Sequence, residues 1–179
     1  QRQMCIRDSH SEVPREDADE ALRVMRSLAP ELHIDPDKIG VSGTSAGGHL
    51  AASVGTLSPQ RPSFMILFYP VISADTDKRH RGSFEQLLGK KHCDTPQSQE
   101  LSLEKKVDVQ TPPTLLFHCD DDKVVPAVNS VLFYKQLKTY GIKSSLHIYP
   151  SGGHGWGMSS CFRYYDDWQK SVLDWLSTL

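Results

Sequence analysis

Two continuous apolar runs limit the possible folds of this chain more than any other feature of its sequence. Residues 64–69 form one run and are followed by Pro70, and residues 114–119 form the other and are preceded by Pro112-Pro113. Strands that are apolar on successive residues, rather than on alternate ones, are typical of parallel sheets with both faces covered. Parallel strands in turn require crossover connections, which are usually helices. The two runs therefore predict an α/β fold.

The segments around these runs predict the helices and the further strands of such a fold. Apolar residues at helical spacing predict helices over 17–28, 45–54, 126–140 and 164–179. Short β-rich segments predict two more strands, over 39–42 and 145–149. Strands that alternate with helices indicate a parallel sheet with right-handed crossovers.

Residues 70–113 form a long polar stretch between the two apolar runs, with short helices predicted over 84–88 and 102–107. A connection of this length inside a compact domain is usually functional. We therefore expect residues 70–113 to form a cap-like insert that selects the substrate.

Composition and charge exclude several classes of partner. The 179 residues suit one domain, and the net charge of -2 leaves no basic surface for nucleic acid or for an anionic membrane. The longest apolar run is far shorter than the roughly 20 residues that span a bilayer. The four cysteines are widely separated and have no zinc-finger spacing, so we expect neither a metal nor another cofactor.

The first nine residues differ in character from the rest of the chain. Residues 4–9 read Met-Cys-Ile-Arg-Asp-Ser, which is similar to the translation of an adapter end used in sequencing libraries. We expect residues 1–9 to be a non-native segment and the domain to begin at residue 10, with earlier sequence missing. The alternative is a genuine polar N-terminus.

A possible nucleophile lies between the predicted strand at 39–42 and the helix that follows. Gly43-Thr44-Ser45-Ala46-Gly47 fits the pattern G-x-S-x-G, in which a serine on a strained strand-to-helix turn exposes its Oγ. The alternative is a glycine-rich turn in which Ser45 only caps the helix. The position between strand and helix favours the nucleophile, and a serine nucleophile requires a base.

Candidates for the base and the acid follow the last two predicted strands. His154 lies in a glycine-rich loop after the strand at 145–149, and three aspartates follow the strand at 114–119. We predict His154 as the base and Asp122 as the acid that orients it. The alternatives are an exposed loop histidine and a solvated acidic turn. The chain order Ser45, Asp122, His154 is that of the α/β-hydrolases.

Four segments together carry a resemblance to a known family. They read VSGTSAGGHLAA at 41–52, FYPVI at 68–72, HCDDDKVVP at 118–126 and YPSGGHGWG at 149–157. Over residues 14–179 the chain looks like an α/β-hydrolase of the esterase/lipase superfamily. More narrowly, it resembles the branch of acetyl xylan esterases and feruloyl-esterase-like proteins. In the resemblance, the chain corresponds to the C-terminal half of the fold, without its first strands.

The resemblance implies roles for individual residues. Ser45, Asp122 and His154 would form the catalytic triad, and the Ala46 backbone N–H would be one oxyanion donor. The family supplies a second donor from a His-Gly-Gly loop, which has no match before Ser45. Cys119 stands where many relatives have glycine.

The function implied is hydrolysis of carboxylic esters, most specifically acetyl or feruloyl esters of small molecules or oligosaccharides. Trp156 is a candidate to stack on a sugar ring or an aromatic acyl group, with plain packing as an equal alternative. The resemblance favours export, although the sequence leaves the compartment open. Two alternatives to the esterase remain: a serine exopeptidase of the prolyl-oligopeptidase type, and an inactive hydrolase-fold remnant.

The strand order that the resemblance implies gives a testable consequence for folding. It places the strand at 39–42 beside a strand that would precede residue 10, and an unpaired apolar edge promotes association. We therefore predict that residues 10–179 alone aggregate or stay molten, as measured by size-exclusion chromatography and thermal unfolding. A monodisperse fragment with a cooperative melt would contradict this.

Overall fold

Four parallel strands form one sheet in a computed structural model that describes residues 12–179. The strands are β1 (Val41–Thr44), β2 (Met65–Phe68), β3 (Thr114–Cys119) and β4 (Ser144–Tyr149). Their spatial order, β1-β2-β3-β4, follows the chain, and each neighbouring pair is parallel. All four carboxyl ends therefore lie at the same edge of the sheet. The predicted α/β fold and its four strands are confirmed, and the predicted segment 1–9 lies outside the described residues.

Six helices accompany the sheet in the described part of the chain. They are α1 (Val13–Leu32), α2 (Ser45–Leu57), α3 (Arg81–Leu88), α4 (Pro96–Gln99), α5 (Val128–Thr139) and α6 (Tyr165–Leu176), with short 3-10 helices at Pro36–Lys38 and Leu103–Lys106. All of the predicted helices are present except that the one over 102–107 is a 3-10 turn. None of the helices described for residues 12–179 is long and apolar enough to span a membrane.

Helix α1 is longer at both ends than the predicted 17–28. Pro14 stands in its first turn, where a proline lacks no needed N–H, and Pro30 stands in its last turn, where it removes one hydrogen bond. The helix ends at His33, which has a left-handed φ of 54° and lets the N–H of Ile34 bond to the carbonyl of Ala29. Both prolines therefore lie inside the helix, outside the predicted bounds of 17–28.

Successive residues of β2 and β3 pack into two different apolar cores. The core on the α6 face contains mainly aromatic residues, among them Phe68, Phe117, Tyr149, Trp156, Trp168 and Trp175. The core on the α2 and α5 face contains mainly aliphatic residues, among them Met65, Leu67, Leu116 and Leu137. Both faces of the two central strands are thus buried, which is why their sequences are apolar without alternation.

The side chain of Asn129 joins the insert 70–113 to the start of α5. It is fully buried, and its Oδ1 accepts the N–H groups of Ile72 and Ser73 at 3.0 and 2.9 Å. Its Nδ2 donates to the carbonyls of Lys78 and Pro126 at 2.9 and 3.0 Å. All four hydrogen-bonding positions of the amide are satisfied, so this residue fixes the first part of the insert against the body of the fold.

His49 makes a second connection between helix α2 and the insert. Its ring is buried, lies edge-on to Phe84 of α3 and contacts the carbonyl of Val71 through Nδ1 at 3.1 Å. Because the partner is a carbonyl, the proton is on Nδ1. The buried Nε2 has no partner among the described residues. Burial lowers the pKa of His49 to about 4, since a proton on Nε2 would have no acceptor.

The lowered pKa of His49 predicts loss of stability in mild acid. The unfolded ring binds a proton below about pH 6.5, whereas the folded ring resists it until about pH 4. The stability that the neutral ring of His49 contributes is therefore complete above pH 6.5 and is lost progressively as the pH falls from 6.5 to about 4. We expect H49Q to reduce the loss of unfolding free energy between pH 7.5 and 4.5 by about 2 to 3 kcal/mol, measured by urea denaturation.

The matched control is H92Q, which replaces an exposed histidine of the insert. H92Q should keep the pH dependence of the unmodified chain. Equal pH dependence in H49Q and H92Q would show that His49 does not carry the effect.

Candidate active site

Ser45 lies at a sharp turn between β1 and α2. Its φ of 53° is in the left-handed region, which costs a non-glycine residue about 1 kcal/mol or more. A Cβ on Gly43 would lie 2.1 Å from the carbonyl oxygen of Gly47, so the turn closes only with glycine at position 43. The sequence pattern thus produces the strained, partly exposed serine that it predicts.

Ser45, His154 and Asp122 form one continuous row of hydrogen bonds. Oγ of Ser45 lies 2.8 Å from Nε2 of His154, and Nδ1 of His154 lies 2.6 Å from Oδ2 of Asp122. The three residues follow β1, β4 and β3, whose carboxyl ends share one edge of the sheet. The structure therefore brings the three predicted residues together, in the arrangement of nucleophile, base and orienting acid.

The carboxylate of Asp122 is completely buried, and both its oxygens are occupied. Oδ1 accepts the N–H groups of Val124 and Val125 at 2.8 and 2.9 Å, and Oδ2 faces His154. These contacts leave the carboxylate a single orientation. The imidazole of His154 is consequently held with Nδ1 toward the acid and Nε2 toward Ser45.

His118 is a buried partner of the acid that sequence reasoning missed. Its Nε2 lies 2.9 Å from the carbonyl of Val125 and 3.4 Å from Oδ2 of Asp122, and its Nδ1 lies 2.7 Å from Oγ of Ser130. Two acceptors at Nε2 place the proton there, and burial lowers the pKa of His118. The signal in the sequence was the spacing of four residues between His118 and Asp122.

Tyr69 supports the other side of the histidine. Its ring lies 4.7 Å from the ring of His154, centroid to centroid, and its Oη accepts the N–H of Gly157 at 2.9 Å. Like Ser45, it has a left-handed φ, of 37°. Two residues later, the N–H of Val71 donates to the carbonyl of Ser45 at 3.2 Å. The turn after β2 is thus part of the site, although the segment FYPVI at 68–72 was assigned no role in the site from the sequence.

His80 lies in the insert, immediately before α3. Nδ1 of this residue caps α3 by accepting the N–H of Ser83 at 3.3 Å. Burial and the charge of His154 lower the pKa of His80, and the charge of Asp122 opposes them. The N-terminal end of α3 therefore lies within electrostatic reach of the candidate active site.

Two further predicted site residues have different surroundings. The N–H of Ala46 belongs to the first turn of α2, whose N–H groups have no carbonyl partners within the helix. Trp156 is only 6% exposed and stacks on Phe162 with centroids 4.1 Å apart. Its small exposed part lines a cavity of about 410 Å³ beside His154 and Arg163. Burial favours the packing interpretation of Trp156, and its contact with substrate stays a prediction.

A model of the prolyl oligopeptidase family matches residues 8–179. The chain is 37% identical over 172 residues to an acetylxylan esterase of Xylanibacter ruminicola, a match that covers 93% of this chain and 36% of the relative. It is 35% identical over 158 residues to endo-1,4-beta-xylanase B of Butyrivibrio fibrisolvens, covering 79% of this chain and 24% of the relative.

Solved structures give the same result for the fold. An acetyl ester-xyloside bifunctional hydrolase from Caldicellulosiruptor lactoaceticus is 40% identical, with a TM-score of 0.84 over 92% of this chain and 65% of that chain. An α/β-hydrolase from a Medee basin deep-sea metagenome is 28% identical, with a TM-score of 0.69 over the same shares. The predicted α/β-hydrolase-like fold is confirmed. The chain spans about a third of the first curated relative and about two thirds of the first solved structure.

The turn at Ser45 predicts opposite effects for the two glycines of the pattern. G43A places a methyl group against the Gly47 carbonyl, so we expect it to lower the free energy of unfolding by roughly 2 kcal/mol or more. G47A adds a methyl group in open space on an exposed helical position and should be neutral or stabilising by up to about 1 kcal/mol. Urea denaturation measures both, and equal destabilisation would contradict this account of the turn.

Proposed function

The chain belongs to the prolyl oligopeptidase family, and from this we propose that it is a serine hydrolase that cleaves carboxylic esters. The observation that carries the proposal is the hydrogen-bonded row from Ser45 through His154 to Asp122, at 2.8 and 2.6 Å. The strained backbone of Ser45 adds support, because strain of this kind concentrates at functional positions. In the proposal, Ser45 is the nucleophile, His154 the base and Asp122 the acid.

The reaction proposed is transfer of the acyl group to Ser45 and then to water. Nε2 of His154 takes the proton of Ser45 as Oγ attacks the ester carbonyl, and Asp122 stabilises the resulting imidazolium. The N–H of Ala46 donates to the oxyanion. His154 returns the proton to the departing alcohol, and a water molecule activated by His154 then releases the acyl group.

We propose carbohydrate esters as the substrates, specifically acetyl or feruloyl groups carried by small molecules or oligosaccharides. The names of the similar proteins support this choice, since one is an acetylxylan esterase and another an acetyl ester-xyloside bifunctional hydrolase. The insert 70–113 is proposed to select the substrate, because His80, immediately before α3, lies within electrostatic reach of His154 and Asp122. The cavity beside His154 and Trp156 is the proposed place for the sugar or acyl group.

A serine exopeptidase of the prolyl-oligopeptidase type is the second candidate. The matching family model favours it, and a peptidase would use the same three residues in the same order. The two candidates differ in the leaving group, which is an alcohol in one and an amine in the other. An inactive remnant is the third candidate and predicts neither reaction.

The proposed function predicts that S45A abolishes ester hydrolysis. Loss of a serine nucleophile removes covalent catalysis, so we expect kcat to fall by about a thousand-fold or more. The measurement is hydrolysis of p-nitrophenyl acetate, methyl ferulate, acetylated xylo-oligosaccharides and a dipeptidyl-prolyl anilide by the full chain. S42A is the matched control, because Ser42 is an exposed serine of the neighbouring strand.

Each result distinguishes between the candidates. Ester hydrolysis that S42A keeps and S45A loses supports the esterase. Release of the anilide without ester hydrolysis supports the peptidase. Equal activity of S45A and S42A would rule out Ser45 as the nucleophile. Absence of activity, together with no labelling of Ser45 by a fluorophosphonate in mass spectrometry, would support the remnant.

A further inference from the structure

An exposed aspartate connects the loop that carries the acid to the loop that carries the base. Oδ1 of Asp121 accepts the N–H of Gly153 at 2.8 Å, and Oδ2 accepts the N–H of Gly152 at 3.2 Å. These are the two residues immediately before His154. The carboxylate therefore binds the backbone of the histidine loop and not the histidine ring.

The two glycines before His154 have an unusual backbone conformation, which the hydrogen bonds to Asp121 help to hold. Gly152 and Gly153 have φ angles of 142° and 62°, values that L side chains rarely adopt. A Cβ on Gly152 would lie 2.4 Å from the ring of Phe162 and 2.8 Å from Sγ of Cys119. The loop is thus packed tightly on these two side chains, and the Asp121 carboxylate binds its amides.

We propose that Asp121 is a positioning residue that sets the place of His154 relative to Ser45. Asp122 orients the imidazole through Nδ1, and Asp121 orients the backbone from which that imidazole extends. The two adjacent aspartates thereby fix the ring from both ends. This inference rests on the proposed function, because it assigns Asp121 a part in the reaction of Ser45.

The charge of Asp121 suits this role. Hydrogen bonds from Gly153 and Gly152 lower the pKa of its carboxyl group, with a further contribution from the charge of Lys123, so the group is ionised at neutral pH. A carboxylate offers both amides an acceptor, whereas an amide side chain offers one acceptor and turns an N–H₂ group toward the second amide. D121N should therefore lose one contact and weaken the other.

Asp120 is the matched control for this change. It is exposed, and its contact in the described structure is made by its backbone N–H, which donates to the carbonyl of Tyr149 at 2.8 Å. D120N removes the same charge one residue away and leaves both glycine amides bound. A difference between D121N and D120N thus measures the contacts and not the net charge.

The experiment compares D121N, D121E and D120N in the full chain, with p-nitrophenyl acetate as substrate. A displaced base reduces stabilisation of the transition state more than it reduces the affinity for substrate. We therefore expect D121N to lower kcat about ten-fold with KM changed less than about two-fold. D121E keeps two acceptor oxygens and should recover part of kcat. D120N should match the unmodified chain. Equal kcat in D121N and D120N, or a change confined to KM, would overturn the proposal.

Amide hydrogen exchange at Gly152 and Gly153 tests the contacts without any catalytic reaction. We expect faster exchange of both amides in D121N and unchanged exchange in D120N. Unchanged exchange in D121N would overturn the proposal. If the unmodified chain hydrolyses no ester, the proposed function fails, and the exchange result still decides whether Asp121 holds the loop.

Discussion

Parallel pairing of four strands in chain order is the constraint on which the candidate site depends. It brings the carboxyl ends of β1, β3 and β4 to one edge, and each of these ends continues into a segment with one of the hydrogen-bonded residues Ser45, Asp122 and His154. Ser45 and His154 are 109 positions apart in the sequence and still lie within hydrogen-bond distance. The apolar residues of β2 and β3 therefore matter for the candidate site. Burial on both faces stabilises these two central strands, and they hold β1 and β4 in the same sheet.

The site combines strained backbone with surroundings that hold it in place. Ser45 and Tyr69 both have left-handed φ angles, and such conformations persist only where neighbouring contacts determine them. The carbonyl of Ser45 is bound by the N–H of Val71, and the hydroxyl of Tyr69 by the N–H of Gly157. The turn after β2 therefore stabilises the serine turn and the histidine loop together, and His49 connects the same turn to α2.

The sequence predicted what depends on local pattern and missed what depends on distant contacts. The strand at 114–119 has the predicted bounds, and Ser45 and Asp122 both lie within hydrogen-bond distance of His154, while the catalytic roles of these three residues stay a prediction. Helix α4 was not predicted, since its four residues are too few for a periodic pattern. The burial of Trp156 depends on Phe162 and on aromatic residues from several strands and α6. No spacing within the loop at 149–157 reveals those partners.

The three aspartates after β3 show where local reasoning ends. They are identical in residue type and adjacent in the sequence, so residue type alone does not distinguish the predicted acid, Asp122, from its two neighbours. In the structure, Asp122 points inward to His154, Asp121 binds the amides of Gly152 and Gly153, and Asp120 joins β4 through its backbone. The three aspartates differ in these partners, all of which lie on β4 or in the loop that follows it. The pairing of β3 with β4 determines which partner each aspartate meets, so the contacts of the three aspartates can be assigned only once that pairing is known.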